Sequence, residues 1–198
     1  MIVLKIAILG GTFNPIHIGH LIIGQYVINK TDIQKVIFLP NGIAPHKANI
    51  VSSEDRLKMV ELSIEENDKF IVSDYEIKKT TKSYTIETLK YFKEYYQEVY
   101  FIIGSDNLYE VKNWYKSEQL LKENKFIVLP RIREKDTIID KINELTKDYN
   151  TDFLFIDMPI IDISSSEIRE LIKQRKSIKY LVHWKVEDYI KRKGLYIE

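Results

Sequence analysis

The chain has 198 residues, of which 44% are hydrophobic and 30% charged, the composition of an ordinary globular protein with enough length to bury a sizeable core. Lys plus Arg number 30 and Asp plus Glu 29, a formal net charge of +1; this excludes an affinity resting on a broad basic face for DNA or RNA, while a few local cations could still hold a small polyanion. Cysteine is absent, so disulfides and thiolate metal sites are excluded.

In chain order, short apolar runs rich in Ile, Val and Phe predict buried strands: "IVLKIAIL" (2–9), "VIFLP" (36–40), "FIVSDYEI" (70–77), "VYFIIG" (99–104), "FIVLP" (126–130) and "FLFID" (153–157). The first run carries Lys5 in its middle and ends in Gly-Gly, unlike a signal peptide, and no stretch approaches the length of a transmembrane helix. The expected location is the cytoplasm, with no membrane partner. Segments with helical spacing lie between most of the strands, such as Leu57, Val60 and Ile64, or Ile86, Leu89 and Phe92. The first connection, Gly10 to Lys35, suits a crossover helix with Leu21, Ile22, Gln25 and Ile28 on its faces. This alternation predicts an α/β fold with a doubly wound parallel sheet. Near the end, "SSSEIRELIKQ" and "VEDYIKRKG" predict two helices, the second capped by Gly194. With no repeat, low-complexity segment or linker, the expected organisation is a single domain over 1–198. Its α/β core would run through 162, and a helical tail would start at 163.

The turn behind the first strand reads "GGTFNPIHIGH", Gly10 to His20. In an open parallel sheet, ligands bind beyond the carboxyl ends of the strands, where glycines let the backbone approach a phosphate and the next helix offers its N–H groups. The stretch is neither a Walker loop nor a Gly-x-Gly-x-x-Gly fingerprint. It offers instead His17 and His20, which share one face if the segment is helical and could donate to phosphate oxygens as charge builds there. A metal site would need further ligands, with His46 and His183 the only other histidines. Two unrelated surface histidines are the plainer alternative for the pair taken alone.

The whole string resembles the T/HxGH signature of the nucleotidylyltransferases, with His17, Gly19 and His20 as its core. "ISSSEIR" (163–169) resembles the ISSTxIR box of that superfamily, with Ser166 in place of Thr. Read from the residues alone, Ser164 and Glu167 form a capping box and Arg169 follows one turn in. "LPNGIAPHK" (39–47), "KSYTIETL" (82–89) and "IGSDNLYEVKNWYK" (103–116) are similar to stretches of the bacterial nicotinate mononucleotide adenylyltransferases. The departures are Ala44 for a frequent proline, Asn14 for the commoner Asp, and His183 where relatives often have proline.

The resemblance implies a Rossmann-like fold and transfer of the adenylyl group of ATP to nicotinate mononucleotide, giving nicotinate adenine dinucleotide and pyrophosphate. It implies that His17, His20 and Arg169 are catalytic. Gly10, Gly11, Thr12, Phe13, Gly19, Gly104, Asp106, Ser164 and Ser165 would bind ATP. His46, Lys47, Tyr84, Thr85, Trp114 and Tyr115 would bind the mononucleotide. Mg2+ is expected with the ATP, held mostly by phosphates and water, with no metal site in the protein itself. The partners are then small molecules and no nucleic acid; a homo-oligomer stays open. Nicotinamide mononucleotide or phosphopantetheine as the acceptor, or a non-catalytic nucleotide sensor, are the alternatives.

Overall fold

The computed structural model describes residues 4–42, 51–131 and 135–197. Its strands are β1 (Lys5–Gly11), β2 (Lys35–Pro40), β3 (Phe70–Val72), β4 (Glu98–Gly104), β5 (Lys125–Leu129) and β6 (Asp152–Phe155). They form a parallel six-stranded sheet in the order β3-β2-β1-β4-β5-β6. The helices are α1 (Ile18–Lys30), α2 (Ser53–Ile64), α3 (Thr85–Lys93), α4 (Ser105–Glu110), α5 (Ser117–Glu123), α6 (Lys135–Tyr149), α7 (Ser165–Lys173) and α8 (Trp184–Lys193). This is a Rossmann-like α/β fold with C-terminal helices, as the alternation of strands and helices predicts. None of the described helices is long and apolar enough to cross a membrane.

The central strands bury consecutive residues, as parallel strands must when both faces are covered. Ile6, Ala7 and Ile8 on β1, Val36 to Leu39 on β2 and Phe126 to Leu129 on β5 are all buried. By internal packing the chain divides into two compact units. One holds Met1–Leu9, Tyr26–Val36 and Ser83–Ile161, the other Gly10–Gln25, Ile37–Lys82 and Asp162–Glu198.

In the first unit, β1, β4, β5 and β6 run in register from Lys5 opposite Glu98, Tyr100 opposite Lys125 and Lys125 opposite Asp152. The amino ends of these strands are pinned by charge. Lys5 pairs with Asp32 at 2.6 Å and Glu98 at 3.2 Å, and Lys125 pairs with Glu98 at 3.0 Å. Such exposed pairs contribute little stability each, but they fix which residue faces which and leave the carboxyl ends free for other work.

In the second unit, α2 starts at an N-cap, Ser52, whose hydroxyl accepts from the Asp55 N–H at 3.0 Å. The helix turns Arg56, Met59, Val60, Ser63 and Ile64 inward and packs on β3 and α8. Tyr189 of α8 donates to Asp55 at 2.7 Å. Gly194, at φ 63°, closes α8 with the Leu195 N–H donating to the Ile190 carbonyl at 3.1 Å, which turns the chain back on itself.

One predicted strand is shorter than its apolar pattern: "FIVSDYEI" is extended only over Phe70–Val72. The Ser73 N–H still bonds Phe38, but the Ser73 hydroxyl then accepts from the Tyr75 N–H, and turns follow from Asp74 to Lys78 and from Glu76 to Lys79. The short polar side chain of Ser73 diverts the backbone from the sheet, and the main-chain oxygen of Asp74 closes the turn that follows.

Gly42 follows β2 and lies so close to the Glu76 backbone that a Cβ would run into that carbonyl oxygen. The oxygen belongs to the main chain and cannot swing aside. Gly42→Ala is expected to destabilise the protein by at least about 1–3 kcal/mol, the range for overpacking. Urea unfolding would measure it; an unchanged midpoint would mean the approach is not tight in solution.

Candidate active site

The loop from Gly11 to Ile16 leaves β1 with its carbonyls occupied by donors from the rest of its unit. The Gly11 oxygen accepts from the Asn41 N–H at 2.8 Å. Thr12 accepts from Arg56 Nη1 at 2.8 Å, Asn14 from Arg169 Nη1 at 2.8 Å, and Pro15 from the Ser165 hydroxyl at 2.8 Å. The Asn14–Pro15 peptide is cis, and Phe13 sits at φ 48°.

The two imidazoles stand at the entry to α1. Their ring centroids are 3.7 Å apart and tilted by 30°. The His17 N–H donates to Nδ1 of His20 at 3.2 Å. An accepting Nδ1 carries no proton, so neutral His20 holds its proton on Nε2, the nitrogen that can donate. The Phe13 ring is buried at 2% exposure and meets His20 edge-on at 4.9 Å. Its side chain therefore braces an imidazole from within the core. Gly19 is buried beside it, whereas Gly10, Gly11 and His20 are half-buried, as is Thr12.

The second motif folds as its capping box predicts. Ser164 is the N-cap of α7 and accepts from the Glu167 N–H at 3.1 Å. Ser165 and Arg169 hold the loop carbonyls already described, and Arg169 Nη2 also donates to the Ser166 hydroxyl at 3.1 Å. The motif thus lashes α7 to the loop, with the helix's amino end beside the Asn14–Pro15 segment. Asn14 Oδ1, on a side chain only 5% exposed, accepts from the Tyr196 hydroxyl at 2.9 Å and the Val51 N–H at 3.3 Å. Burial pushes the Tyr196 phenol well above the ordinary tyrosine range, against the pull of Arg169 and Arg56 nearby. It stays a neutral donor.

The first unit carries a separate group. Gly104 ends β4, and Asp106 in the first turn of α4 reaches back so closely that a Cβ on Gly104 would meet its carboxylate and the Arg131 stem. The Arg131 N–H donates to the buried Ser105 hydroxyl at 2.9 Å. Further along, Ser83, Tyr84, Thr85, Trp114, Tyr115 and Leu120 line a cavity of about 230 Å3. The Tyr84 and Tyr115 rings are 4.2 Å apart, and Trp114 meets Phe101 edge-on at 6.4 Å. Thr85 opens α3, whose N-cap residue, Tyr84, gives no side-chain cap. The Ser83 hydroxyl is buried without a partner among the described residues.

The predicted residues therefore fall into two groups. Gly10 to Phe13, His17, Gly19, His20, Ser164, Ser165 and Arg169 come together in one unit. Tyr84, Thr85, Trp114 and Tyr115 gather in the other, which also holds Gly104 and Asp106 at the end of β4. His46 and Lys47 lie outside the described residues. Sequence reading missed Arg56, Tyr196 and Ser83. Arg56 had a signal, since it shares a helical face with Val60 and Ser63; Tyr196, beyond the last predicted helix, had none. Among the described residues no group of three or more His, Asp or Glu is placed to hold a metal ion.

The cytidylyltransferase-like family matches residues 8–171. A protein named probable nicotinate-nucleotide adenylyltransferase from Caldicellulosiruptor bescii is 58% identical over 98% of this chain and 99% of its own length. The chain belongs to the nicotinate-nucleotide adenylyltransferase branch of the cytidylyltransferase-like family. A Clostridium tetani relative with the same name is 41% identical over 97% of the chain and 98% of its own length. Among solved structures, the Plasmodium falciparum nicotinic acid mononucleotide adenylyltransferase complexed with NaAD aligns with a TM-score of 0.81 at 26% identity. That alignment covers 98% of this chain and 97% of the other.

The Tyr196–Asn14 bond has a pH signature. An unfolded tyrosine ionises near pH 10, while the folded phenol is held protonated to higher pH. Below pH 10 the two states bind the same proton and Tyr196 adds no slope. Above it the unfolded chain loses the proton first, and stability falls as pH rises. Tyr196→Phe is expected to cost about 1 kcal/mol at pH 8 through the lost bond and to flatten the decline between pH 10 and 11. Denaturant midpoints across pH 8–11 for both proteins would show it; parallel curves would place the phenol in water.

Proposed function

We propose that the chain catalyses attack of the nicotinate mononucleotide phosphate on the α-phosphorus of ATP. The new bond joins the two nucleotides as nicotinate adenine dinucleotide, and the bond to the β-phosphate breaks to release pyrophosphate. The observation that carries this reading is the His17–His20 pair, locked by its own backbone bond behind a loop whose carbonyls already have donors. A phosphate monoester is an anion at neutral pH, so no general base is required, and catalysis reduces to positioning and charge stabilisation.

In this reading, His20 Nε2 and the His17 ring meet the charge that builds on the α-phosphoryl oxygens. Arg169 and the amino end of α7 attract the outer phosphates, while Gly10, Gly11 and Thr12 line the nucleotide path. Asp106 suits the ATP ribose, as a carboxylate accepts from hydroxyls. The gathered donors are imidazole, guanidinium and N–H groups, which suits a Mg2+ that arrives on the phosphates and stays coordinated by them and by water. When bound, that ion would neutralise the triphosphate charge. The same reading keeps the cytoplasm as the expected location.

The aromatic cavity suits the pyridine ring. Trp114, Tyr84 and Tyr115 offer faces and edges for stacking, while Thr85, Ser83 and the uncapped start of α3 offer donors that favour a carboxylate over an amide. A bond to a charged group is worth roughly 1.5–3 kcal/mol, and 1.4 kcal/mol is about tenfold. Two such bonds give a preference on the order of a hundredfold for nicotinate over nicotinamide mononucleotide. Pyrophosphate release measured with each mononucleotide tests this; equal kcat/KM for both would reject the nicotinate assignment. Thr85→Val should narrow the ratio, whereas Trp114→Ala should weaken both substrates alike.

His17→Ala and His20→Ala should fold normally yet lose about a hundred- to a thousandfold in kcat, the usual cost of removing a donor aimed at transition-state charge. Steady-state kinetics on the purified variants would decide, and near-normal turnover in both would remove the imidazoles from the mechanism.

A further inference from the structure

Arg56 is the largest charged side chain enclosed in the core, at 2% exposure. Lys and Arg are almost never buried so deeply without a carboxylate, yet Arg56 makes no ion pair among the described residues. Its guanidinium donates to two main-chain oxygens, Thr12 from Nη1 at 2.8 Å and Gly42 from Nη2 at 3.1 Å, and its Nε is buried without a partner among the described residues. The adjacent acid on its own helix, Asp55, is already engaged by Tyr189 and Ser52. Burial disfavours the Arg56 charge, and the Glu54 carboxylate on the same helix offsets that only in part, without an ion pair; a buried cation so weakly compensated costs free energy that a well-packed apolar residue would not. Such a cost persists where the missing counter-charge arrives from outside.

We propose that Arg56 is a positioning residue for the nucleotide: it fixes the Thr12 segment of the loop against Gly42, and its charge is completed by the phosphates of the bound substrate. The inference rests on the adenylyl-transfer reading above and adds a residue that contacts the loop from behind. The two carbonyls lie far apart in sequence, and the planar fork spans them as an ammonium could not. Gly42 gives the fork a rigid anchor, because its own backbone abuts Glu76. The role is therefore geometric and electrostatic at once. Lysine would keep the charge and lose the fork; glutamine would keep one donor pair and lose the charge.

Calorimetric binding of MgATP to the wild type, Arg56→Lys and Arg56→Gln, without the mononucleotide, tests the proposal apart from the overall reaction. Arg56→Lys should weaken MgATP by about tenfold and Arg56→Gln by on the order of a hundredfold, matching the loss of one and of two charge-assisted interactions. Nicotinate mononucleotide titrated separately should bind each variant within about twofold of the wild type. Thermal midpoints identify a variant that fails to fold. For such a variant, Arg56→Ala assayed with added methylguanidinium at non-denaturing concentration provides the second arm: partial recovery of kcat/KM for ATP supports a positioned guanidinium. Wild-type MgATP affinity in folded Arg56→Lys and Arg56→Gln would overturn the proposal, and so would equal weakening of both substrates, since a merely structural residue affects them alike. Absence of pyrophosphate release by the wild type, with its MgATP binding intact and sensitive to Arg56, would instead reject the adenylyl-transfer reading and leave Arg56 standing.

Discussion

The structure of the loop behind β1 depends on where its carbonyl oxygens point. Each of the oxygens at Gly11, Thr12, Asn14 and Pro15 has a donor from a different part of the chain. A phosphate site made of backbone can attract an anion only if the carbonyl dipoles face elsewhere, because an oxygen turned toward the ligand would repel it. Three elements together hold the oxygens away: the strand end at Asn41, α2 through Arg56, and α7 through Ser165 and Arg169. Mutual support of this kind is what holds a loop in an unusual conformation, such as φ 48° at Phe13.

The same contacts explain why the C-terminal helices matter to a site that begins at residue 10. Ser165 and Arg169 reach across most of the sequence to Pro15 and Asn14. The Schellman turn at Gly194 then brings Tyr196 to Asn14, so the end of α8 also bears on the loop. Arg169 thereby serves two functions that one guanidinium can combine: one nitrogen holds a carbonyl, while the rest of the fork remains half-buried and directed by Ser166. An Arg-to-Lys change would separate those functions, since a single ammonium cannot donate along two fixed directions.

Much of this was legible in the sequence, and the limits are physical. The alternation of strands and helices identified the fold because parallel strands buried on both faces read as continuous apolar runs, as at Ile6–Ile8 and Phe126–Leu129. The His17–His20 pair and the capping box at Ser164 were visible because their spacing is local and periodic. Tertiary acceptors leave no such trace. That Ser165 would donate to Pro15, or Arg56 to Thr12 and Gly42, depends on backbone oxygens that every residue possesses, so no side-chain pattern marks them. The third strand shows the converse error: "FIVSDYEI" has strand composition throughout, yet the local bonds of Ser73 and Asp74 win over propensity after Val72.

Asn14 shows how charge and geometry were balanced at this loop. The Tyr196 hydroxyl and the Val51 N–H are both donors directed at its Oδ1. A carboxylate would satisfy them equally well, so these two bonds do not require the amide. The electrostatics distinguish the two. At 5% exposure an aspartate would be a buried anion within reach of Arg169 and Arg56, and it would compete with incoming phosphates for the same two cations. It would also raise the cost of ionising Tyr196 still further. The amide keeps the hydrogen-bond frame and leaves both guanidinium charges undiminished, which favours a polyanionic ligand over an internal counter-ion. The residue that departs from the common family choice is thus consistent with Arg56, which is buried with no ion pair among the described residues: in both places a close internal anion is forgone, which suits the phosphate-binding role proposed for this loop.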